Sequence, residues 1–143
     1  MSLSIYTLDL RAPFIYTQSI AEDPFGQPPH EEAMACFSLD RDVAQSIEPD
    51  AEHYLGPLLF RGTKSSEAPD TDDCVIPKGL YLFAQIREAP QRDLFTAMAI
   101  EVQKEGLWRR MEMENRVFIR ILKEEDEVVT QVLRPISAIP DQA

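Results

Sequence analysis

The sequence predicts an α+β fold, with helices packed on one side of antiparallel sheets. Two observations carry this. Between residues 79 and 134 the apolar period changes from near two to near 3.6 and back again. The stretch MEMENRVFIRILKEEDEVVTQVLRPI then alternates on both sides of a charged turn, the pattern of a β-hairpin. The first half offers a similar order of strand, loop, helix and strand, without a residue-level repeat. The expected organisation is a single domain, 1–143, built from two strand-helix-strand-strand units at about 1–70 and 71–143.

In chain order, SLSIYTLDLR alternates loosely and reads as a strand, and APFIYTQSI as a second strand or an extended return. AEDPFGQPPH collects Pro, Gly and Asp, which is loop chemistry. EEAMACFSLDRDVAQSIE reads as a helix: its acidic start suits the positive end of a helix dipole, and Leu39, Val43 and Ile47 share one stripe. HYLGPLLFRGT reads as a strand whose beginning is made irregular by Gly56 and Pro57, followed by the polar loop TKSSEAPDTDD. Pro77 and Gly79 form a turn that feeds the strand GLYLFAQIRE, because Pro fixes φ and Gly permits unusual φ. Pro90 should end that strand, since it has no N–H for the ladder. From about Gln91 the pattern is helical, with Leu94, Met98 and Val102 on one stripe, Phe95 beside it and Gly106 as a stop. In the hairpin Met111, Met113, Val117, Ile119 and Ile121 share one face, and Glu112, Glu114, Arg116, Phe118 and Arg120 the other. Pro135 should end the last ladder.

Composition narrows the function. A net charge of −11 argues against nucleic acid, whose phosphates need clustered Lys and Arg, and against adhesion to an anionic membrane surface. No apolar run approaches a membrane span, and the start carries no basic region of a signal peptide. Cys36 and Cys74 are the only cysteines and form no CxxC pair. Two reduced thiols buried as small core residues, in a cytoplasmic protein, are the expectation. His30 and His53 make no metal set, though His53 with Asp50 and Glu52 resembles a weak surface cation site. No GxSxG and no Gly-rich phosphate loop occurs.

The stretch VIPKGLYLFAQIREAP resembles a hallmark of the GyrI-like effector-binding domains: Ile76, Pro77, Gly79, Tyr81 and Phe83, then a break at Ala89-Pro90 and a helix. The hairpin is similar too, with Phe118 on one strand, a charged turn at 124–126, and Thr130 and Pro135-Ile136 on the other. The resemblance covers roughly residues 54–137. It implies two strand-helix-strand-strand units facing a shared cleft that binds small organic molecules, often lipophilic cations. Some members sense drugs for regulators, some sequester them alone, and a few hydrolyse small activated substrates. Many members place a buried Glu two residues before the strand aromatic. Here that position is Arg116, with Glu114 two residues further back and Glu112 beyond it.

Aromatics would line such a cleft through flat apolar area and cation–π attraction. Tyr6, Tyr16, Tyr81, Phe83, Trp108 and Phe118 are the candidates, with core filling as the plainer role, especially for Phe83 and Phe118. Glu114, then Glu112, would supply negative charge; the plainer role is a solvated face on which Glu and Arg alternate. Arg116 would neutralise Glu114, bind an anion, or protect a strand edge. The expected function is non-catalytic binding or sensing of a small organic molecule between the two halves, through Tyr6, Tyr81, Trp108, Glu112, Glu114, Arg116 and Phe118. No cofactor, no metal and no DNA-binding segment of its own enters this expectation. The alternative is a protein-interaction module using the same sheet surface. A further alternative is a small hydrolase, which needs a carboxylate and an aromatic hydroxyl converging in a dry pocket.

Overall fold

The computed structural model describes residues 3–18, 32–63, 74–88 and 91–138. The loops expected at 21–30 and 64–73, His30, and the Ala89-Pro90 break lie outside these residues. The fold is α+β and its strand pairs are antiparallel. The strands are β1 (Tyr6–Leu10), β2 (Phe14–Gln18), β3 (Ala33–Ser38), β4 (Leu58–Thr63), β5 (Cys74–Ile76), β6 (Gly79–Ile86), β7 (Glu112–Met113), β8 (Arg116–Glu124) and β9 (Glu127–Ala138). The helices are α1 (Arg41–Ala44) and α2 (Arg92–Trp108), with a 3-10 turn at Ala51–His53. Among the described residues, no helix is long and apolar enough to cross a membrane.

The strand order is β1-β6-β9-β8-β3-β4-β2-β5, with β7 beside β9. Its two ends are covalently continuous. β1 runs into β2 through residues 11–13, and β5 runs into β6 through residues 77–78. One bent two-stranded ribbon therefore pairs as β1/β6 at one end and β2/β5 at the other, and the sheet closes on itself. Gly79, at φ +147°, takes a backbone conformation that disfavours a side chain just where β6 leaves the bend. The Tyr81 hydroxyl donates to the Pro77 carbonyl in the same bend. The Pro, Gly and Tyr of the motif thus shape and brace a corner.

Alternation on this sheet makes two apolar layers. Inside lie Tyr16, Met34, Cys36, Ile76, Tyr81, Phe118 and Leu133. On the other face Ala35, Phe37, Leu82, Val117, Ile119 and Val132 pack under Phe95, Met98, Ala99 and Val102 of α2. The face assignment of Val117, Ile119 and Ile121 against Phe118 follows the sequence pattern.

Three expectations are corrected. Residues 31–48 were expected as one helix, but 33–38 are β3 and the helix keeps only Arg41–Ala44. β3 lies between β4 and β8, with Met34 and Cys36 inside and Ala35 and Phe37 under α2. A strand buried on both faces has no polar alternation to reveal it. Asp40 then caps α1, its carboxylate accepting from the Asp42 N–H at 3.1 Å. Second, Gly106 does not stop α2, which runs to Trp108. Arg110, at φ 60°, makes the stop. Its N–H bonds to Leu107 O at 3.0 Å and that of Met111 to Gly106 O at 2.9 Å, a Schellman closure. Gly106 instead permits close packing: a Cβ there would sit 2.8 Å from Leu82 Cδ1 and closer still to Met113 Sδ. Third, Pro135 lies within β9. Its carbonyl accepts from Glu114 N–H at 3.0 Å, beside the interruption between β7 and β8, so its missing N–H falls at a gap in the ladder.

Candidate functional site

The structure distributes the sequence-predicted site residues over separate places. Tyr81 on β6 and Phe118 on β8 are fully buried inside the sheet, edge-on with ring centroids 6.2 Å apart. The Arg116 guanidinium lies over the Phe118 ring, 5.1 Å from its centroid, and Nε pairs with Glu114 Oε1 at 3.1 Å. Arg116 thereby receives an aromatic face and a carboxylate, the two contacts the family resemblance implies for a bound cation. Burial pushes the Cys36 thiol up to about 12, with Glu114 adding to the shift and Arg116 opposing it. Burial likewise pushes the Tyr81 phenol up to about 12, with Arg116 opposing and Glu114 and Cys36 adding. Neither group is a nucleophile or base at neutral pH.

Trp108 lies on the other side of the sheet, at the end of α2, and is 80% exposed. It lines a cleft of about 630 Å³ with Leu3, Ile5, Ile47, Leu107, Glu101, Lys104 and Glu105. Ile47 is 72% exposed. The 43–47 segment that carries Ile47 is held to α2 by Gln103, whose Nε2 donates to Val43 O and Ser46 O, each at 2.8 Å.

Glu112 and Glu114 line a second cleft of about 760 Å³ together with Ala44, Met111, Asn115 and Ser137. Leu107 lines both clefts, so they adjoin at the end of α2. Glu112 is exposed on β7, and Tyr6 is 58% exposed on β1, opposite Phe83.

Two arginines were not singled out from the sequence. Arg134, on β9, is 1% exposed. Its Nε donates to Glu114 O at 2.8 Å, Nη1 to Gln103 Oε1 at 2.8 Å and to the Tyr54 hydroxyl at 3.1 Å, and Nη2 to Ala44 O at 3.0 Å. Ala44 and Glu114 are walls of the second cleft, so one guanidinium sets both. The available signal was a charge on the face of β9 that also carries Val132 and Ile136. Arg120, on β8, lies inside the sheet: Nη2 and Nε meet the two oxygens of Glu32 at 2.9 and 3.0 Å, and Nη1 meets Gln131 Oε1 at 3.1 Å. Its guanidinium stacks 3.9 Å from the Phe14 ring centroid, and Tyr16 donates to Glu32.

Asp50, Glu52 and His53 approach one another on the surface and are all exposed. Asp50 Oδ2 meets His53 Nδ1 at 2.8 Å while Oδ1 accepts from Glu52 N–H, so the group is a capped 3-10 turn. Comparison of the chain with protein-family models and with curated proteins found no match.

Proposed function

We propose that this chain is a non-catalytic binding protein that takes a small organic molecule in the Trp108 cleft. The observation that supports this is two large apolar side chains, Trp108 and Ile47, left in water on the walls of one cleft of about 630 Å³. Ligand sites commonly have this size and an apolar lining with few polar groups. The cleft lies between Leu3, Ile5 and Ile47 of the first half and residues of α2 in the second, as a site between halves requires. Covering about 100 Å² of apolar surface on its walls would contribute roughly 2.5 kcal/mol. In this proposal the interior group around Arg116 and Phe118 is structural, because Arg116 already fills the aromatic-and-acid contacts there.

The family assignment is part of the same proposal. β6, α2, β8 and β9 come in the order strand, helix, strand and strand, with the two-residue β7 between α2 and β8, which supports one GyrI-like unit in the second half. The four-residue α1 supports a matching unit in the first half less. The hydrolase alternative finds a hydroxyl and a carboxylate together at Tyr16 and Glu32, but Arg120 engages both carboxylate oxygens and leaves no free base. The protein-interaction alternative draws on Leu58 and Leu59 of β4, both exposed.

Trp108 is the only tryptophan, so its fluorescence reports on the cleft. Titration with a panel of organic cations, anions and neutral molecules should give a saturable change for at least one class, lost in Ile47→Asp with the fold retained by circular dichroism. A panel that leaves Trp108 unperturbed up to millimolar concentration removes the small-molecule proposal and leaves the interaction module in its place.

A further inference from the structure

We infer that the Trp108 cleft takes a neutral, largely apolar molecule, not an organic cation; this rests on the binding function proposed above. The charges in its walls are already balanced. Glu101 pairs with Lys104 at 3.8 Å, and Glu105 pairs with Arg109 at 2.9 Å through the guanidinium Nε. A paired carboxylate presents a dipole to a ligand, and the attraction of a dipole for a cation falls off faster than that of a free charge.

The end of α2 adds little pull of its own. A helix C-terminus attracts cations through carbonyls that lack a partner. Here Glu105 O accepts from Arg109 N–H at 2.9 Å, Gly106 O from Met111 and Leu107 O from Arg110. Three carbonyls of the last turn, those of Glu105, Gly106 and Leu107, are therefore spoken for. What the cleft does offer is the exposed ring of Trp108 with Leu3, Ile5, Ile47 and Leu107 around it. These groups reward the removal of apolar surface from water, which a charged ligand offsets with its own desolvation.

Three probes on one anilinonaphthalene skeleton test this on the intact chain: neutral N-phenyl-1-naphthylamine, the anion 1-anilinonaphthalene-8-sulfonate, and a trimethylammonium derivative of N-phenyl-1-naphthylamine. Probe fluorescence or competition gives each affinity at low and high salt. The neutral probe should saturate and bind about tenfold or more tightly than either ion. Its dissociation constant should change by less than about twofold with salt, because no screened charge pair contributes. Trp108→Ala and Ile47→Asp should each weaken it by about tenfold, with unchanged circular dichroism. Lys104→Gln, which frees Glu101, should tighten the cation by about threefold without moving the neutral probe. A cation that binds the unaltered chain as well as or better than the neutral probe overturns this inference while keeping the binding function. Preferential binding of the anion does the same. If none of the three binds up to millimolar concentration, the binding function itself falls.

Discussion

Arg120 and Arg134 lie on neighbouring strands and on opposite faces of one sheet, and the chain accommodates them in different ways. Arg120 has a carboxylate. Burial alone would push its pKa down, but Glu32 and the Tyr16 hydroxyl outweigh burial and move it up. Arg134 is the more deeply buried and meets, among the described residues, only neutral acceptors: two backbone carbonyls, an amide oxygen and a phenol. Burial dominates there, and its pKa lies below the usual arginine range despite Tyr54. A guanidinium stays charged in both settings because its ordinary pKa is so high. A buried charge can thus be compensated by one opposite charge or by several oriented dipoles. The second arrangement ties down more chain, since Arg134 joins α1, the Tyr54 segment, α2 and the β7–β8 interruption.

The largest effect should come from Arg134→Ala. It takes the guanidinium from Glu114 O and Ala44 O and leaves Tyr54 and Gln103 bonded only to each other, and we expect a loss of about 4 kcal/mol in urea denaturation. A loss below about 1 kcal/mol would mean that water replaces the guanidinium freely. Arg134→Lys should recover only part, because an ammonium cannot reproduce the fork. Glu32→Gln should cost less, about 2 kcal/mol, since Arg120 retains Gln131, Tyr16 and some solvent. The double replacement Glu32→Met with Arg120→Met should return most of that loss, as apolar substitutes for buried ion pairs often do. No such rescue exists for Arg134, whose acceptors include main chain. If the double variant is worse than Glu32→Gln, the pair contributes net stability.

A smaller effect appears at high pH, where burial raises Tyr54 on the α2 side and, inside the sheet, Cys36 and Tyr81. Cys36 and Tyr81, both inside, have folded-state pKa values raised to about 12 from 9.0 and 10.0. Groups raised in this way contribute stability that is fully present below the unfolded values and is lost as pH rises toward the folded ones. Denaturation midpoints should therefore hold to about pH 9 and fall between pH 9 and 12. Cys36→Ala and Tyr81→Phe should flatten the fall; an equal fall in the double variant would place its cause elsewhere. The smallest effect belongs to a third arginine. Arg87 meets Glu124 and Glu127 at 3.1 and 3.0 Å in full solvent, and Arg87→Ala should leave the melting temperature unchanged.

The second half was legible because its polar residues keep the period visible: α2 shows its stripe, and β8 and β9 alternate around a charged turn, even though β9 is buried on both faces from 129 to 136. β3 has no wet side. Its AMACFS run, with two alanines and acidic residues before it, carries helical composition, and only pairing with β4 and β8 overrides it. The candidate site divides in the same way. Arg116 and Glu114 were placed on the face of Phe118 by counting in twos, and they meet there. Trp108 and Tyr81 were grouped because both are aromatic, but periodicity does not say which layer a helix-end residue joins. Arg134 and Gln103 are polar residues on apolar faces, and their partners lie on segments far away in sequence, which periodicity does not report.

The bent ribbon that closes the sheet has a consequence in time. Tyr6 pairs with Phe83, Phe14 with Ile76, and Ala33 with Ile121. During synthesis β1 and β2 emerge long before β5 and β6 exist to receive them, and β3 waits for β8. Contacts this distant in sequence incur their loop entropy before any pairing offsets it. Refolding from urea should therefore take roughly milliseconds to seconds. The β8–β9 hairpin, whose strands are neighbours, should gain amide-exchange protection first, and the ribbon last. Protection of β1 ahead of that hairpin would mean that the ring is assembled from its seam.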